Sequence, residues 1–205
     1  MEKKGTLIVI SGFSGVGKGT VVKRLVQDYG YSLSISATTR APREGEVDGR
    51  EYYFKSKEDF MNLIDYNGFI EWAVYVENYY GTPRAFVEKD LAAGHNVILE
   101  IEVQGALNIK SQYPDAVLIF LTAPSAEVLK NRLIGRGTED PAVIEKRMKR
   151  AVEESEDMDQ YEYIVVNDDL DQCVKDVNSV IVAKSCRLEE NIEFMKEMKA
   201  ELKAL

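Results

Sequence analysis

A glycine-rich turn stands between an apolar run and a helical pattern near the beginning of the chain. Residues 7–10 are apolar, and they are followed by Gly12-Phe13-Ser14-Gly15-Val16-Gly17-Lys18-Gly19-Thr20. Glycines let the backbone curl with its N–H groups pointing inward, the next helix presents its positive N-terminal end, and the lysine adds a full charge. This order of strand, turn and helix predicts a binding site for the phosphates of a nucleoside triphosphate.

The position after the lysine departs from the strict form of this pattern. Ser or Thr, a magnesium ligand, is usual there, but this chain has Gly19 and carries Thr20 one residue later. One residue turns a side chain by roughly 100° around a helix. We therefore expect Thr20 to hold Mg²⁺ only through water, and direct ligation stays open.

Length and charge narrow the class of function. A chain of 205 residues suits one α/β domain with inserted subdomains. The net charge of −9, from 26 Lys and Arg against 35 Asp and Glu, disfavours nucleic acid as a partner. An acidic protein that binds phosphates must concentrate its cations in a cleft. Arginines do cluster in two segments, at positions 40, 43 and 50 and at positions 132, 136, 147 and 150.

The remaining composition predicts a cytoplasmic protein with no membrane partner. No apolar run approaches the roughly eighteen residues of a membrane span, and residues 1–4 do not form a basic-then-apolar leader. Cys173 and Cys186 are predicted to be reduced, structural thiols. His95, the single histidine, precedes a strand and is predicted to lie in a surface turn without a catalytic role.

Apolar runs alternate with helical patterns along most of the chain. The predicted strands are 6–10, 97–101, 116–121 and 163–166, and the predicted helices are 18–28, 103–112, 125–134 and 170–183. Strands that alternate with amphipathic helices indicate a three-layer α/β fold with a parallel central sheet covered on both faces.

Two segments interrupt the alternation. Residues 34–84 contain short alternating stretches, which predict a small α+β insert on antiparallel strands and a second binding surface. Residues 127–150 combine arginines with Gly135 and Gly137, which predicts a short, mobile helical lid. The core then comprises residues 1–33 with the phosphate loop, 85–126, and 151–205 with a C-terminal helix.

The C-terminal segment repeats apolar residues every three or four positions, at 188, 192, 195, 198, 202 and 205. This spacing predicts an amphipathic helix. Its polar face is mixed and acidic, whereas a helix at a membrane surface is basic. We therefore expect it to pack on the core or on another subunit, so the protein is a monomer or a homo-oligomer.

Further segments carry a more specific signal than the loop. They are Ser36-Ala37-Thr38-Thr39-Arg40-Ala41-Pro42-Arg43, the downstream Glu46 and Tyr52, Phe69-Ile70-Glu71-Trp72, and Asn78-Tyr79-Tyr80-Gly81-Thr82. In this order after the loop, they resemble the guanylate kinase family from about residue 6 to residue 169. The resemblance implies transfer of the terminal phosphate of ATP to GMP, with dGMP as a second acceptor and Mg²⁺ as cofactor, giving ADP and GDP.

The resemblance assigns the acceptor site to the insert. It implies that the GMP phosphate is bound by Arg40, Arg43 and Tyr52, with Tyr80 as a further ligand, which suits phosphate because guanidinium groups offer a fork of charged donors. Glu71 would accept hydrogen bonds from guanine N1–H and the 2-amino group. The residues implied to reach the base or its ribose are Ser36, Thr82 and Glu46.

The resemblance also assigns the residues around the transferring phosphate. Lys18, Arg132, Arg136 and Arg147 would stabilise it, and Asn167 would lie near the donor adenine. Glu100 and Glu102 share a face at the end of a strand. One of these acids would bind Mg²⁺ through water, and the other would contact GMP. We assign Glu100 to the metal and Glu102 to GMP, and the sequence leaves that choice open.

Other features stay outside these roles. Arg150 matches no family role and is predicted to be a solvated cation. Phe13 stands where the family usually has proline, which alters loop stiffness more than chemistry. No protein base is expected, because the attacking phosphate oxygen of GMP is already anionic near neutral pH.

Three alternatives to this enzyme follow from the same residues. Guanylate-kinase-like domains of scaffold proteins bind protein partners without catalysis, but they usually have damaged phosphate loops, and Lys18 and its glycines are intact here. A kinase for a different monophosphate is the second alternative, which replacement of Glu71 would test. A regulatory GTPase is disfavoured because the chain has no Asn-Lys-x-Asp run.

Overall fold

The computed structural model describes residues 4–75, 77–135 and 141–205. In these ranges the strands are β1 (Leu7–Gly12), β2 (Ser32–Leu33), β3 (Ala37–Thr38), β4 (Tyr53–Phe54), β5 (Phe69–Tyr75), β6 (Asn78–Pro83), β7 (Val97–Glu100), β8 (Val117–Thr122) and β9 (Tyr163–Val166). The α-helices are α1 (Lys18–Tyr29), α2 (Lys57–Asp65), α3 (Arg84–Ala92), α4 (Val103–Gln112), α5 (Ala126–Gly135), α6 (Pro141–Ser155), α7 (Leu170–Ser185) and α8 (Ile192–Lys203). Short 3₁₀ turns lie at Met158–Gln160 and Leu188–Asn191.

The larger sheet is parallel and has the strand order β2-β7-β1-β8-β9. All six residues of β1 are buried, and Ile8 pairs with Ile98 on one side and with Val117 on the other. A strand that is buried on both faces reads as a continuous apolar run. The predicted α/β class and parallel central sheet are confirmed, and the short edge strand β2 joins the four strands that the sequence predicted.

The insert forms a separate sheet of order β4-β3-β6-β5. The β3–β6 and β5–β6 pairs are antiparallel as predicted, but β3 and β4 are parallel. Parallel neighbours need a long connection, and residues 39–52 supply one. Ala37, Phe60 and Phe69 form a small core of its own beneath this sheet, with the two phenyl rings stacked at 4.5 Å.

The C-terminal helix α8 differs from its expectation. It contains no buried residue, and Phe194 and Leu202 are 53% and 61% exposed. The prediction that it packs on the core is therefore not met in this structure, and packing on another subunit remains a prediction. No helix within the described ranges is long and apolar enough to span a bilayer.

The two cysteines and the single histidine differ in their exposure to solvent. Cys173 and Cys186 are both free thiols; Cys173 is buried, but Cys186 is exposed at the end of α7, so it is not a core residue. The His95 side chain is 63% exposed and lies 3.9 Å from the Asp90 carboxylate. The surface position predicted for the histidine is thus confirmed.

Candidate active site

One cleft of about 490 Å³ lies between the larger sheet and the insert sheet. It is bordered by the loop after β1, by β5, β6 and the end of β7, by the start of α4, and by α6. The predicted site residues that line it are Ser14, Gly15, Gly17, Lys18, Gly19, Thr20, Ser36, Arg40, Arg43, Tyr52, Glu71, Tyr80, Glu100, Glu102 and Arg147. The fold thus brings the loop and the insert, which are distant in sequence, to one space.

The loop has a backbone that only glycine adopts readily. Gly12 has φ of 144°, and a Cβ there would lie 2.1 Å from the Leu121 carbonyl oxygen. Gly17, which precedes α1, has φ of 98°. These left-handed and crowded positions explain why the loop is glycine-rich.

The positive end of α1 is left open to a ligand. The helix has no side-chain cap and no acidic residue in its first turn. Lys18 Nζ donates to the carbonyl oxygens of Gly12, at 2.7 Å, and Phe13, at 3.4 Å, so the lysine lies across the loop. Free N–H groups, the helix dipole and an ammonium group together form an anion site.

Asn167 and Arg132 support the loop from outside the cleft. Asn167 is buried, and its Nδ2 donates to the Val16 carbonyl oxygen at 2.8 Å. Arg132 Nη1 donates to the Asn167 carbonyl oxygen at 2.7 Å. Neither residue is among the described residues that line the cleft. In this structure they brace the loop. The contacts of Asn167 with adenine and of Arg132 with the transferring phosphate stay predictions.

The second arginine cluster divides into different positions. Arg136 lies outside the described residues. Arg147 lines the cleft, and its Nη1 lies 3.3 Å from Ser14 Oγ of the loop. Arg150 also lines the cleft and pairs with the buried Glu154, so the expectation that it is merely solvated is wrong.

Two acidic residues lie where the main sheet meets the loop. Glu100 is the last residue of β7, and Glu102 immediately precedes α4. Burial raises the pKa of Glu100, the charge of Lys18 opposes this rise, and Glu102 adds to it. A Cβ on Gly19 would lie 3.6 Å from both Glu100 carboxylate oxygens. Both acids line the cleft.

The donor set suits a cation that is held mainly by substrate. Among the described residues, no group of three or more His, Cys, Asp and Glu side chains gathers as a metal site. Mg²⁺ is commonly bound through one or two carboxylates, water and nucleotide phosphates. The Glu100 carboxylate beside the loop and the Thr20 hydroxyl fit that pattern.

The insert arginines are organised by Glu46. Arg40 Nη2 donates to both Glu46 carboxylate oxygens, at 2.9 Å and 3.0 Å, and the Arg43 backbone N–H donates to Glu46 Oε2 at 2.7 Å. The hydrogen bond from Arg40 lowers the pKa of Glu46. Glu46 is not among the described residues lining the cleft. It therefore positions the arginines in this structure, and its contact with the base or ribose stays a prediction.

Two tyrosines complete the phosphate end of the insert. The Arg40 guanidinium lies 5.4 Å from the centre of the Tyr52 ring, and the Tyr52 and Tyr80 rings are 6.0 Å apart. Burial raises the pKa of Tyr52 to about 12. The phenol therefore stays protonated at neutral pH and can donate to an anion.

Glu71 is a buried carboxylate that faces the cleft. It is 7% exposed, its Oε1 accepts from Thr82 Oγ1 at 2.7 Å, and burial raises its pKa to about 7. A Cβ on Gly105 would lie 2.7 Å from Glu71 Oε2, so α4 can approach because that residue is glycine. Thr82 is fully buried, contacts the acid and is not among the described cleft residues. That its hydroxyl also reaches the base stays a prediction.

Some residues in or beside the cleft escaped the sequence analysis. Gln104 and Gly105 of α4 line the cleft, and Gly105 could have been noticed as a glycine three residues after Glu102. Glu154 is 2% exposed although it lies in a charged helix. No local signal in the sequence distinguishes it from its solvated neighbour Glu153.

Comparison with known proteins agrees with this geometry. The family model described as guanylate kinase matches residues 4–184. The chain is 48% identical over 202 residues to the guanylate kinase of Caldanaerobacter subterraneus subsp. tengcongensis, covering 98% of each. It is 47% identical over 200 residues to that of Bacillus subtilis, covering 97% of this chain and 98% of the relative.

A solved structure shares the fold as well. The crystal structure of guanylate kinase from Anaplasma phagocytophilum superposes with a TM-score of 0.76 at 30% identity, covering 91% of this chain and 89% of the other. These likenesses extend over both sheets and over the whole cleft. The chain belongs to the guanylate kinase family.

Proposed function

We propose that this chain transfers the γ-phosphate of ATP to GMP, and also to dGMP, giving ADP and GDP or dGDP. A single observation carries the proposal: the phosphate loop with Lys18 and the buried acceptor Glu71 line the same cleft. One is an anion site at a helix start and the other is a hydrogen-bond acceptor of the kind that guanine requires. Two nucleotides can therefore meet end to end.

The acceptor end distinguishes guanine by its donors. Arg40, Arg43 and Tyr52 bind the GMP phosphate through charged and neutral donors. Ionised Glu71, oriented by Thr82, accepts from N1–H and the 2-amino group of guanine. Adenine has no such pair of donors on this edge, so it would leave a buried carboxylate unsatisfied.

The transfer step needs positioning and charge neutralisation. A phosphate oxygen of GMP attacks the γ-phosphorus of ATP, the bond from that phosphorus to the β,γ-bridging oxygen breaks, and ADP leaves. Lys18 and Arg147 stabilise the charge on the transferring group, with Arg132 and Arg136 as further contributors when the cleft is filled. The attacking oxygen is already anionic, so no side chain acts as base.

Mg²⁺ is part of the proposal as the cofactor of ATP. When bound, it would neutralise charge on the β- and γ-phosphates. Glu100 and Thr20 would hold it through water, and Glu102 would serve the acceptor nucleotide. The position of the Glu100 carboxylate against Gly19 supports this division.

The division of the chain into moving parts is also proposed. The insert at 34–84 has its own sheet and its own small core, which suits closure over GMP as a unit. Residues 127–150 would close over ATP from the other side and exclude water. The free thiols of Cys173 and Cys186 are in keeping with a cytoplasmic location.

The test is a panel of nucleoside monophosphates with ATP and Mg²⁺. ADP formation is expected with GMP and dGMP and is expected to be far slower with AMP, CMP and UMP. Tight GMP binding without turnover would instead support a protein-binding module. Equal use of AMP would contradict the role of Glu71, and omission of Mg²⁺ tests the cofactor.

A further inference from the structure

Helix α6 presents a second arginine to the cleft beside Arg147. Arg147 and Arg150 are three residues apart, so the helix turns both to one side, and both line the cleft. Lys149 between them has a side chain that is 74% exposed and pairs with Glu145 at 2.9 Å. The helix therefore presents its arginines, and not this lysine, to the cleft.

Two carboxylates hold one edge of Arg150. Its Nη1 donates to Glu153 Oε2 at 2.9 Å, and its Nε donates to Glu154 Oε1 at 3.2 Å. The Glu153 side chain is 66% exposed, whereas that of Glu154 is 2% exposed. Exposed ion pairs fix a side chain poorly, so Glu154 sets the orientation. Within residues 4–75, 77–135 and 141–205, Nη2 of Arg150 has no acceptor and is available to a ligand.

Glu154 is an expensive residue to bury at this place. Its Oε2 has no hydrogen-bond partner among the described residues. Burial raises the pKa of the carboxyl, nearby Glu102 raises it further, and the charges of Lys18 and Arg150 lower it. A buried carboxylate with one partner destabilises a fold. Buried acids with this unfavourable contribution to folding are concentrated at functional sites, and here the acid keeps an arginine in place at the cleft.

The surroundings of Arg150 place it at the acceptor half of the cleft. Arg150 lines the same part of the cleft as Gln104 of α4. Helix α4 begins directly after Glu102, and its Gly105 lies against the Glu71 carboxylate. The phosphate of a nucleoside monophosphate is the anion that enters this half. An arginine held along one edge is suited to donate from its free nitrogen to such a group.

We propose that Arg150 binds the phosphate of the acceptor nucleotide and that Glu154 acts as its positioning residue. The inference rests on the proposed function, because it takes GMP as the acceptor. It adds to the insert arginines a cation from the opposite wall of the cleft. GMP would then be held between the insert and α6.

The decisive measurement is GMP affinity by calorimetry without ATP, together with steady-state kinetics. Arg150→Gln is expected to weaken GMP binding about tenfold, the effect of one charge-assisted hydrogen bond, and to leave the KM for ATP within about twofold. Arg150→Lys should recover part of the loss. Lys149→Gln, on the exposed side of the same helix, is the matched control and should bind GMP as the wild type does.

Glu154 is tested through its dependence on Arg150. Glu154→Gln should weaken GMP binding about threefold, because the arginine loses its buried anchor. The double variant Arg150→Gln/Glu154→Gln should bind GMP no more weakly than Arg150→Gln alone. Thermal unfolding of each variant separates loss of fold from loss of affinity.

Two results would overturn the inference. One is wild-type GMP affinity in Arg150→Gln, and the other is full additivity in the double variant, which would show that Glu154 acts elsewhere. Failure of the proposed function looks different, since the wild-type protein itself would then form no ADP from ATP and GMP.

Discussion

The two ends of the cleft are built in different ways. The donor end, where the loop from Gly12 to Thr20 would bind ATP, is formed mainly by backbone N–H groups. The loop is held in place by β1, whose six residues are all buried in the parallel sheet. The acceptor end is a side-chain structure, because Arg40 is held by Glu46 on an insert whose core is Ala37, Phe60 and Phe69. One end is fixed by the main core and the other by polar contacts on a small sheet.

The helices at the two ends show the same contrast. Helix α1 begins at the loop without a side-chain cap and without an acid in its first turn. Helix α2 of the insert is completed by its own residues, since Ser56 Oγ accepts from the Asp59 N–H at 3.0 Å, and Glu58 and Asp59 lie in its first turn. A helix start that the protein leaves uncompensated is where the substrate provides the negative charge.

This contrast predicts different sensitivities. A backbone site fails when a few positions gain a side chain, whereas a side-chain site loses function one contact at a time. Substitutions at the donor end should therefore affect catalysis or folding strongly. Those at the acceptor end should change affinity for GMP and leave the handling of ATP intact.

The largest effect is expected at Lys18. Lys18→Ala should lower kcat about a thousandfold, because it removes the charge that faces the transferring phosphate. Lys23→Ala, an exposed lysine of the same helix, is the control. Steady-state kinetics with saturating GMP measure both, and a loss below about tenfold in Lys18→Ala would contradict the assignment of the donor end.

The second prediction concerns backbone geometry and uses stability as its measure. Gly12→Ala should lower the free energy of unfolding by at least about 3 kcal/mol, because its Cβ would meet the Leu121 carbonyl oxygen at 2.1 Å. Gly45 of the insert also has positive φ, of 84°, but no atom lies within 4 Å of its Cβ position. Gly45→Ala should cost only about 1 kcal/mol. If urea unfolding showed the same loss of unfolding free energy for Gly12→Ala and Gly45→Ala, the contrast between the two ends would be contradicted.

The third prediction separates the two substrates. Arg40→Ala should raise the KM for GMP about a hundredfold, through loss of a charged donor fork, with the KM for ATP little changed. Arg50→Ala serves as control, because that side chain is 61% exposed and pairs with Glu51. If both KM values rose together in Arg40→Ala, the arginine would not belong to an independent acceptor end.

The smallest effect concerns protonation of Glu71. Burial raises the pKa of this carboxyl to about 7, so the acceptor form is lost as the pH falls through that value. The KM for GMP should therefore rise about tenfold between about pH 8 and about pH 6. Glu71→Gln cannot titrate and retains only the contribution of the GMP phosphate. A pH profile identical in the two proteins would show that Glu71 does not govern binding.

The sequence predicted some of the site because local chemistry identifies it. The loop from Gly12 to Thr20 needs glycines and a lysine in fixed order, and no tertiary contact is required to recognise that need. The roles of Arg40, Arg43 and Glu71 were predicted from the resemblance alone. The contacts of Glu46 with Arg40 and of Thr82 with Glu71 could not be obtained in this way, because contacts between side chains that are not neighbours in sequence depend on the fold.

Sequence alone determined the alternation of strands and helices, the phosphate loop and the presence of an insert, since hydrophobic period and glycine chemistry are local properties. Tertiary structure decided which charges face each other. Arg150 and Glu154 are ordinary residues of a charged helix until α6 lies beside α4 and the loop. Arg132 supports Asn167 only because the fold brings α5 to the residue that follows β9. These roles depend on burial and on contacts between segments that are distant in sequence, and local sequence patterns determine neither.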